Sequence, residues 1–349
     1  MIKLRALLAA VGAAGLFMTL PPDAAAASNC KMARLAEWKV QQMNDALIVD
    51  GSINGQKVGV MVDTGAGSTL ILRSAAQQLA LKRQPVQGYK AFGIGDEADV
   101  ELGYVEEFRI GPSSRTNLLM FVAGENDLGG TVGVILGEDF FQSADVEFDL
   151  AHNAIRIFQP VDCDGVSLAY WATADTASEV AIDPVDKARP QIVLSVQVNG
   201  RRVKALLDSG SKVSVLDKYE ASMAGVTPET PGVVRATGAA VPGQKALDTW
   251  IGPFQSFTIG DEMIKSTNIY FCDMFRDATF RPAGSRLSRK VDELQPMLLG
   301  EDFLRAHRVL VSHSQRKIYF TYAGGPVFQA DKAAEAKAGP SAPRADTKP

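Results

Sequence analysis

The sequence repeats itself. Ile53-Asn54-Gly55-Gln56-Lys57-Val58 returns as Val198-Asn199-Gly200-Arg201-Arg202-Val203, an offset of 145 residues. Five residues past each valine stands a matching tripeptide, Asp63-Thr64-Gly65 and then Asp208-Ser209-Gly210, at the same offset. Gly93 maps onto Gly238 in that register, and Phe108-Arg109-Ile110-Gly111 resembles Phe257-Thr258-Ile259-Gly260. Ile135-Leu136-Gly137-Glu138-Asp139-Phe140 answers Leu298-Leu299-Gly300-Glu301-Asp302-Phe303, now offset by 163, so the second copy carries extra residues, some of them near 281–293. A duplicated unit of this size predicts two lobes of one plan.

Within each copy the pattern is that of strands. Leu47–Ile53 and Ile192–Val198 are rich in β-branched and apolar residues and run into Asn-Gly, a strong hairpin signal. Val58–Val62 and Val203–Leu207 are the returning strands. Each copy closes on another hairpin, Val146–Leu150 with Ala154–Phe158 and Val309–Val311 with Lys317–Tyr322. Helical periodicity is confined to short stretches, Ser74–Leu81 and Ser288–Leu294. The expected fold class is all-β: two homologous β-barrel-like lobes from an internal duplication. The N-terminal lobe is expected over residues 28–160, a connector packed down by Trp171 over 161–190, and the C-terminal lobe over 191–325. A tail of Ala, Lys and Pro over 326–349 has too little apolar bulk to order itself.

The ends and the charge narrow the setting. Lys3 and Arg5 precede an unbroken apolar run from Leu7 to Leu20, then prolines and Ala25-Ala26-Ala27. That is the form of a signal peptide over residues 1–27, and it predicts an exported protein, periplasmic or secreted. The apolar run is short for a span, so no membrane anchor is expected after cleavage. Net charge is −4 with both signs interspersed, which argues against a nucleic-acid partner. Cys30, Cys163 and Cys272 permit one disulfide and leave one thiol, without fixing the pairing. No cysteine or histidine spacing suggests a metal, and no cofactor is expected. His152 and His313 read as turn residues of the two closing hairpins, with His307 nearby.

Asp63 and Asp208 carry the chemistry. A strand ending in Asp, then a small hydroxyl residue and Gly, turns sharply and presents a carboxylate at a rim. Two such loops facing each other across a pseudo-twofold axis would put two carboxylates within a few ångströms. Such a pair cannot ionise fully, so it shares a proton, one member serving as base toward water and the other as acid.

On Asp63-Thr64-Gly65-Ala66, Asp208-Ser209-Gly210-Ser211 and the Ile135-Leu136-Gly137 and Leu298-Leu299-Gly300 triplets, the sequence resembles the aspartic peptidases. It is most similar to a fused, two-lobed form of the bacterial retropepsin-like group. The resemblance runs from about Leu47 to Tyr322 and implies a bilobal acid-protease fold with Asp63 and Asp208 as the dyad. It further implies that Thr64, Gly65, Ala66, Ser209, Gly210, Ser211, Gly137 and Gly300 support the loops. The substrate would be a peptide held extended under flaps at 89–100 and 234–247, with Gly93, Gly95, Gly238 and Gly243 as candidate tips. Fusion of both halves in one chain suggests a monomer. In the family a hydroxyl at the position of Ser211 donates to the carboxylate. Ala66 lacks one, which predicts a working pH less acidic than a pepsin's.

Other readings compete with these. Two Asx turns at strand ends use the same residue types. A catalytically inactive two-lobed peptide-binding or envelope interaction protein would keep the fold without the chemistry. Asp139 and Asp302 are expected to cap short helices, and Glu138 and Glu301 to be solvated. Gly93-Ile94-Gly95 resembles a dinucleotide fingerprint, but a strand rather than a helix follows it. Residues 28–44 could lie over the cleft or form an N-terminal strand or helix.

Overall fold

A computed structural model of the chain describes residues 29–43, 46–93, 96–124, 131–173, 176–185, 190–236, 248–274, 279–280, 289–290 and 295–328. The signal peptide expected at 1–27, the proposed flap tips Gly95, Gly238 and Gly243, and the tail from 329 lie outside the described residues.

The first copy runs β1 (Lys31–Met43), β2 (Ala46–Ile53), β3 (Gln56–Val62), β4 (Leu70–Leu72), then helix α1 (Arg73–Gln78). It continues with β5 (Arg83–Gly93), β6 (Asp96–Ile110), β7 (Ser113–Ala123), β8 (Val132–Leu136), α2 (Glu138–Phe141), β9 (Asp145–Asp149) and β10 (Ala154–Val161). The second copy runs β11 (Ser178–Ala181), β12 (Val193–Val198), β13 (Arg201–Leu207), β14 (Val215–Asp217), α3 (Lys218–Met223), β15 (Val234–Arg235) and β16 (Thr249–Ile259). After β17 (Glu262–Cys272) and the short pair β18 (Thr279–Phe280) and β19 (Arg289–Lys290) come β20 (Met297–Leu299), α4 (Glu301–Ala306), β21 (His307–Ser312) and β22 (Lys317–Tyr322).

The Asn-Gly dipeptides build the entry hairpins as their chemistry demands. Asn54 and Gly55 have φ of 50° and 77°, and Asn199 and Gly200 have 49° and 76°. Positive φ at both central positions matches the right-handed twist of the strands. Each Asn does a second job: Asn54 Oδ1 accepts from the N–H groups of Glu106 and Glu107, and Asn199 Oδ1 from those of Gln255 and Ser256. The turn is thereby tied to β6 or β16, the strand that closes the sheet.

Each copy closes into a ring of strands. β2-β3-β8-β4-β7-β6 returns to β2, and β12-β13-β20-β14-β17-β16 returns to β12. Each ring contains two parallel pairings: β3 with β8, setting Val62 opposite Leu136, and β4 with β7 in the first; β13 with β20, setting Leu207 opposite Leu299, and β14 with β17 in the second. The strand that ends in the aspartate therefore lies beside the strand that ends in the hydrophobic triplet. A single large core cluster fills both rings and the space between, with Phe141, Phe148, Phe257, Phe303 and Phe320 fully buried. Each such side chain contributes about 1.5–3 kcal/mol by leaving water.

A bridging sheet joins the halves in the order β11-β22-β21-β9-β10-β1. Its midline is β9 against β21, with Leu310 opposite Glu147. The order reads the same from both edges, since β1 pairs with β10 as β11 pairs with β22. Lys31–Met43 is thus an integral strand, with Ala36, Trp38 and Val40 alternately buried. β11 lies inside the segment 161–190 and acts as the second copy's β1; Ile182 bridges Leu194 where Val40 faces Val49. Trp171 packs as expected, with Nε1 donating to Thr321 Oγ1 at 2.9 Å.

Two local expectations need correction. Helix α1 covers Arg73–Gln78 and stops short of Leu81, because Ala80 takes φ of 48°. The stretch 288–294 is not a helix over its described residues: Arg289 and Lys290 pair with Phe280 and Thr279 as a strand. Pairing across the chain overrides a weak local period there.

Candidate active site

Two loops meet at the pseudo-twofold. Thr64 N–H donates to Ser209 Oγ at 3.0 Å, and Ser209 N–H donates to Thr64 Oγ1 at 3.0 Å. Each hydroxyl then donates onward across the axis, Thr64 Oγ1 to Leu207 O at 2.7 Å and Ser209 Oγ to Val62 O at 2.9 Å. Four buried hydrogen bonds thus lock one loop to the other. Thr64, Ser209 and Ser211 are essentially inaccessible to water.

The carboxylates sit where that grip puts them. Asp63 Oδ1 accepts from the N–H groups of Gly65 and Ala66, both at 3.0 Å. Asp208 Oδ1 accepts from Gly210 at 2.9 Å and Ser211 at 3.1 Å. The two carboxyls are hydrogen-bonded to one another. Gly65 and Gly210 are required by this approach: a Cβ on Gly65 would lie 2.5 Å from Asp208 Cγ, and one on Gly210 2.5 Å from Asp63 Oδ1.

Burial raises the affinity of both groups for protons. Asp63 is pushed above the ordinary carboxylate value by desolvation, opposed by the Ala66 N–H, the bond to Asp208 and the Gly65 N–H. Asp208 is pushed well above it, first by desolvation and then by the Asp63 charge. One proton shared between the pair is the state this geometry favours.

Behind each loop the hydrophobic-hydrophobic-Gly triplet acts as a brace. Asp63 N–H donates to Leu136 O at 3.0 Å and Asp208 N–H to Leu299 O at 2.9 Å. Gly137 and Gly300 pass so close to the loops that a Cβ on either would lie 2.8 Å from the carbonyl oxygen of Ala66 or Ser211. The following residues complete the brace: Glu138 N–H donates to Ala66 O at 2.8 Å, and Glu301 N–H to Ser211 O at 2.7 Å.

Three sequence expectations fail here. The Ser211 hydroxyl donates to Val213 O at 2.8 Å, so it does not serve Asp208, whose contact with Ser211 is through the N–H. Ala66 makes the equivalent N–H contact, so the missing hydroxyl removes no donor from the Asp63 carboxylate. Asp139 and Asp302 do not cap their helices; the N-cap residues are Gly137 and Gly300. They reach back to the loops instead. Asp139 accepts from Thr69 N–H and Oγ1, and Asp302 from Ser214 N–H and Oγ. Thr69 and Ser214 in turn accept from the Gly137 and Gly300 N–H groups. Finally, Glu138 and Glu301 are buried rather than solvated, because their helices fold in against the bridging sheet. Sequence reasoning missed Thr69 and Ser214, although they stand at the same offset of 145 as the aspartates. Among the described residues no cluster of metal-ligating side chains occurs, and no helix is long and apolar enough to cross a membrane.

Two strand rings, each presenting an aspartate loop at a shared twofold, define the bilobal acid-protease fold. The aspartyl protease family's sequence pattern matches residues 49–140 and 194–303, one stretch in each copy, and the chain belongs to that family. No curated protein matches the sequence. Among solved structures, basic 7S globulin from soybean aligns with 83% of this chain and 95% of its own, at 10% identity and a TM-score of 0.44.

Proposed function

We propose that the protein is an aspartic endopeptidase in which Asp63 and Asp208 together activate a water molecule. The observation that carries this reading is the pair of carboxyls hydrogen-bonded to each other at the centre of the reciprocal Thr64–Ser209 grip. With one proton between them, the ionised member takes a proton from water as it attacks the scissile carbonyl carbon. The protonated member donates to the carbonyl oxygen, and the proton later passes to the leaving amine. The dyad needs no metal or cofactor for this. Which aspartate plays which part belongs to the pair.

The substrate is a peptide in extended form, and the chain works as a monomer because it supplies both aspartates. It acts after export, in the periplasm or outside the cell. The Cys30–Cys163 disulfide supports that placement, since such bonds persist in oxidising compartments. Burial of both carboxyls, rather than the absence of a hydroxyl at Ala66, supports a working range less acidic than a pepsin's.

The test is cleavage of an unstructured protein such as casein from about pH 3 to 8, by wild type beside Asp63→Asn and Asp208→Asn, with and without a statine-type inhibitor. Cleavage by wild type alone, blocked by the inhibitor, is expected. Cleavage that survives both substitutions overturns the mechanism. Folded wild type that binds the inhibitor or peptides without cutting them points instead to a peptide-binding relative.

A further inference from the structure

The two loop braces share a backbone plan, but their glutamates have different partners. Glu301 is met within its own helix by Arg305, one turn on, and by Gln42 Nε2 of β1 at 3.4 Å. Glu138 has no such partner on its helix. Its carboxyl is fully buried, and His313 Nε2, from the turn between β21 and β22 of the second copy, lies 2.9 Å from Oε1. By hydrogen-bond geometry neither Glu138 oxygen nor His313 Nε2 has a partner among the described residues, so the contact between them is a close electrostatic one. The His313 turn is itself pinned: buried Asp145 of β9 accepts from the Ser312 and Ser314 hydroxyls and from Ser314 N–H.

A short chain of contacts links this pair to the catalytic group. Glu138 N–H holds Ala66 O at 2.8 Å, and Ala66 N–H holds Asp63 Oδ1 at 3.0 Å. The charged groups facing the Glu138 carboxyl are His313 from the hairpin, Asp139 from its own helix, and Asp63 from the loop. Arg115 lies over the Phe140 ring of α2, 5.1 Å from its centre. Asp139 is engaged by Thr69.

We propose that Glu138 is a positioning residue for Asp63, and that His313 anchors it, so that the second copy's closing hairpin holds the first copy's catalytic loop. The proposal rests on the peptidase reading for its catalytic meaning, but its geometry stands independently of that reading. Burial holds the Glu138 carboxyl above its ordinary range, with His313 opposing that shift. An ionised Glu138 beside the dyad favours retention of the shared proton, so removing its charge lets the dyad lose that proton at lower pH.

The experiment compares Glu138→Gln, His313→Gln and, as a surface control in the second copy, Glu179→Gln of the exposed pair with Lys317. Two readouts are taken across pH: kcat and KM on a peptide substrate, and the backbone amide NMR signals of Gly65 and Ala66. Glu138→Gln keeps the side chain's size and the N–H bond to Ala66. It is expected to lower kcat about tenfold, with KM changed less than about twofold, and to move the neutral limb of the profile about half a unit or more toward acid. The Gly65 and Ala66 amide midpoints should shift in the same direction. His313→Gln should reproduce both shifts, and Glu179→Gln should leave both where they are. Limbs and amide midpoints that superimpose on wild type in Glu138→Gln overturn the proposal. If wild type cuts nothing, the amide midpoints alone decide it, and the peptidase reading fails separately.

Discussion

The Asp63 half and the Asp208 half differ little in backbone and a good deal in what surrounds it. Both loops receive two N–H bonds at the inner carboxylate oxygen, both rest on a hydrophobic-Gly triplet, and both are braced through a hydroxyl to an aspartate. The supports outside that shell diverge. The first copy staples β1 to the segment after β10 with the Cys30–Cys163 disulfide, where the second copy's β11–β22 pair has an exposed Glu179–Lys317 ion pair at 2.7 Å. Asp302 is buried, whereas the Thr69–Asp139 contact lies at the surface. A shared dyad requires the inner shell to be equal and leaves the outer shell free to vary.

That contrast can be broken at several points. Asp63→Asn and Asp208→Asn should each lower cleavage by about a thousandfold or more, and by similar factors, because neither carboxyl works alone. Each should also raise the melting temperature at neutral pH, since both carboxyls hold protons above the ordinary range when folded and neutral pH strips a proton from a buried like-charged pair. Calorimetry of the two variants beside wild type checks this, and a fall in both would contradict it.

Next in size is the disulfide, which closes a loop of 133 residues. Replacing Cys30 by Ser should cost roughly 3–5 kcal/mol in a denaturant titration. Removing the second copy's ion pair with Lys317→Met should cost less than about 1 kcal/mol. Comparable losses would mean that the staple is redundant with the bridging sheet.

The grip across the twofold should show coupling. Thr64→Val and Ser209→Ala each remove a hydroxyl that both accepts and donates in a buried site, at about 1–3 kcal/mol apiece. The double variant should cost less than the sum, because each single change already strips the partner. Additive losses would show that the loops are held independently.

The smallest effect concerns Asp302, whose carboxyl is raised to about 6 by burial. Its folded value lies above its unfolded one, so the stability that its protonated form contributes is present at low pH and is lost as pH rises toward that value. Asp302→Asn should therefore lose about 1–2 kcal/mol less than wild type between pH 4 and 7. Parallel slopes would remove Asp302 from the account.

Much of this molecule was legible in the sequence, because the duplication prints each constraint twice. The Asn-Gly turns, the paired tripeptides and the triplets all recur at readable offsets, and each reflects a demand on backbone geometry within a few residues. What stayed hidden depends on contacts between distant segments. The Thr69–Asp139 and Ser214–Asp302 bonds span 70 and 88 residues. Short helix-start acids such as Glu138 look solvated until the bridging sheet is laid over them. The Ser211 hydroxyl found a nearby carbonyl, a local competition that residue type does not decide. β11 escaped notice because its four residues carry little period, and it is made a strand by β22.

The account's central claim is that Asp63 and Asp208 form one acid–base unit, and carboxyl-carbon NMR of the labelled aspartates through a pH titration tests it most directly. The predicted result is two transitions well separated in pH, each seen at both residues, with the upper one above the ordinary aspartate value. Asp63→Asn should then leave a single transition at Asp208, lowered by loss of the neighbouring charge. Two independent transitions near about 3.9, indifferent to substitution of the partner, would contradict it.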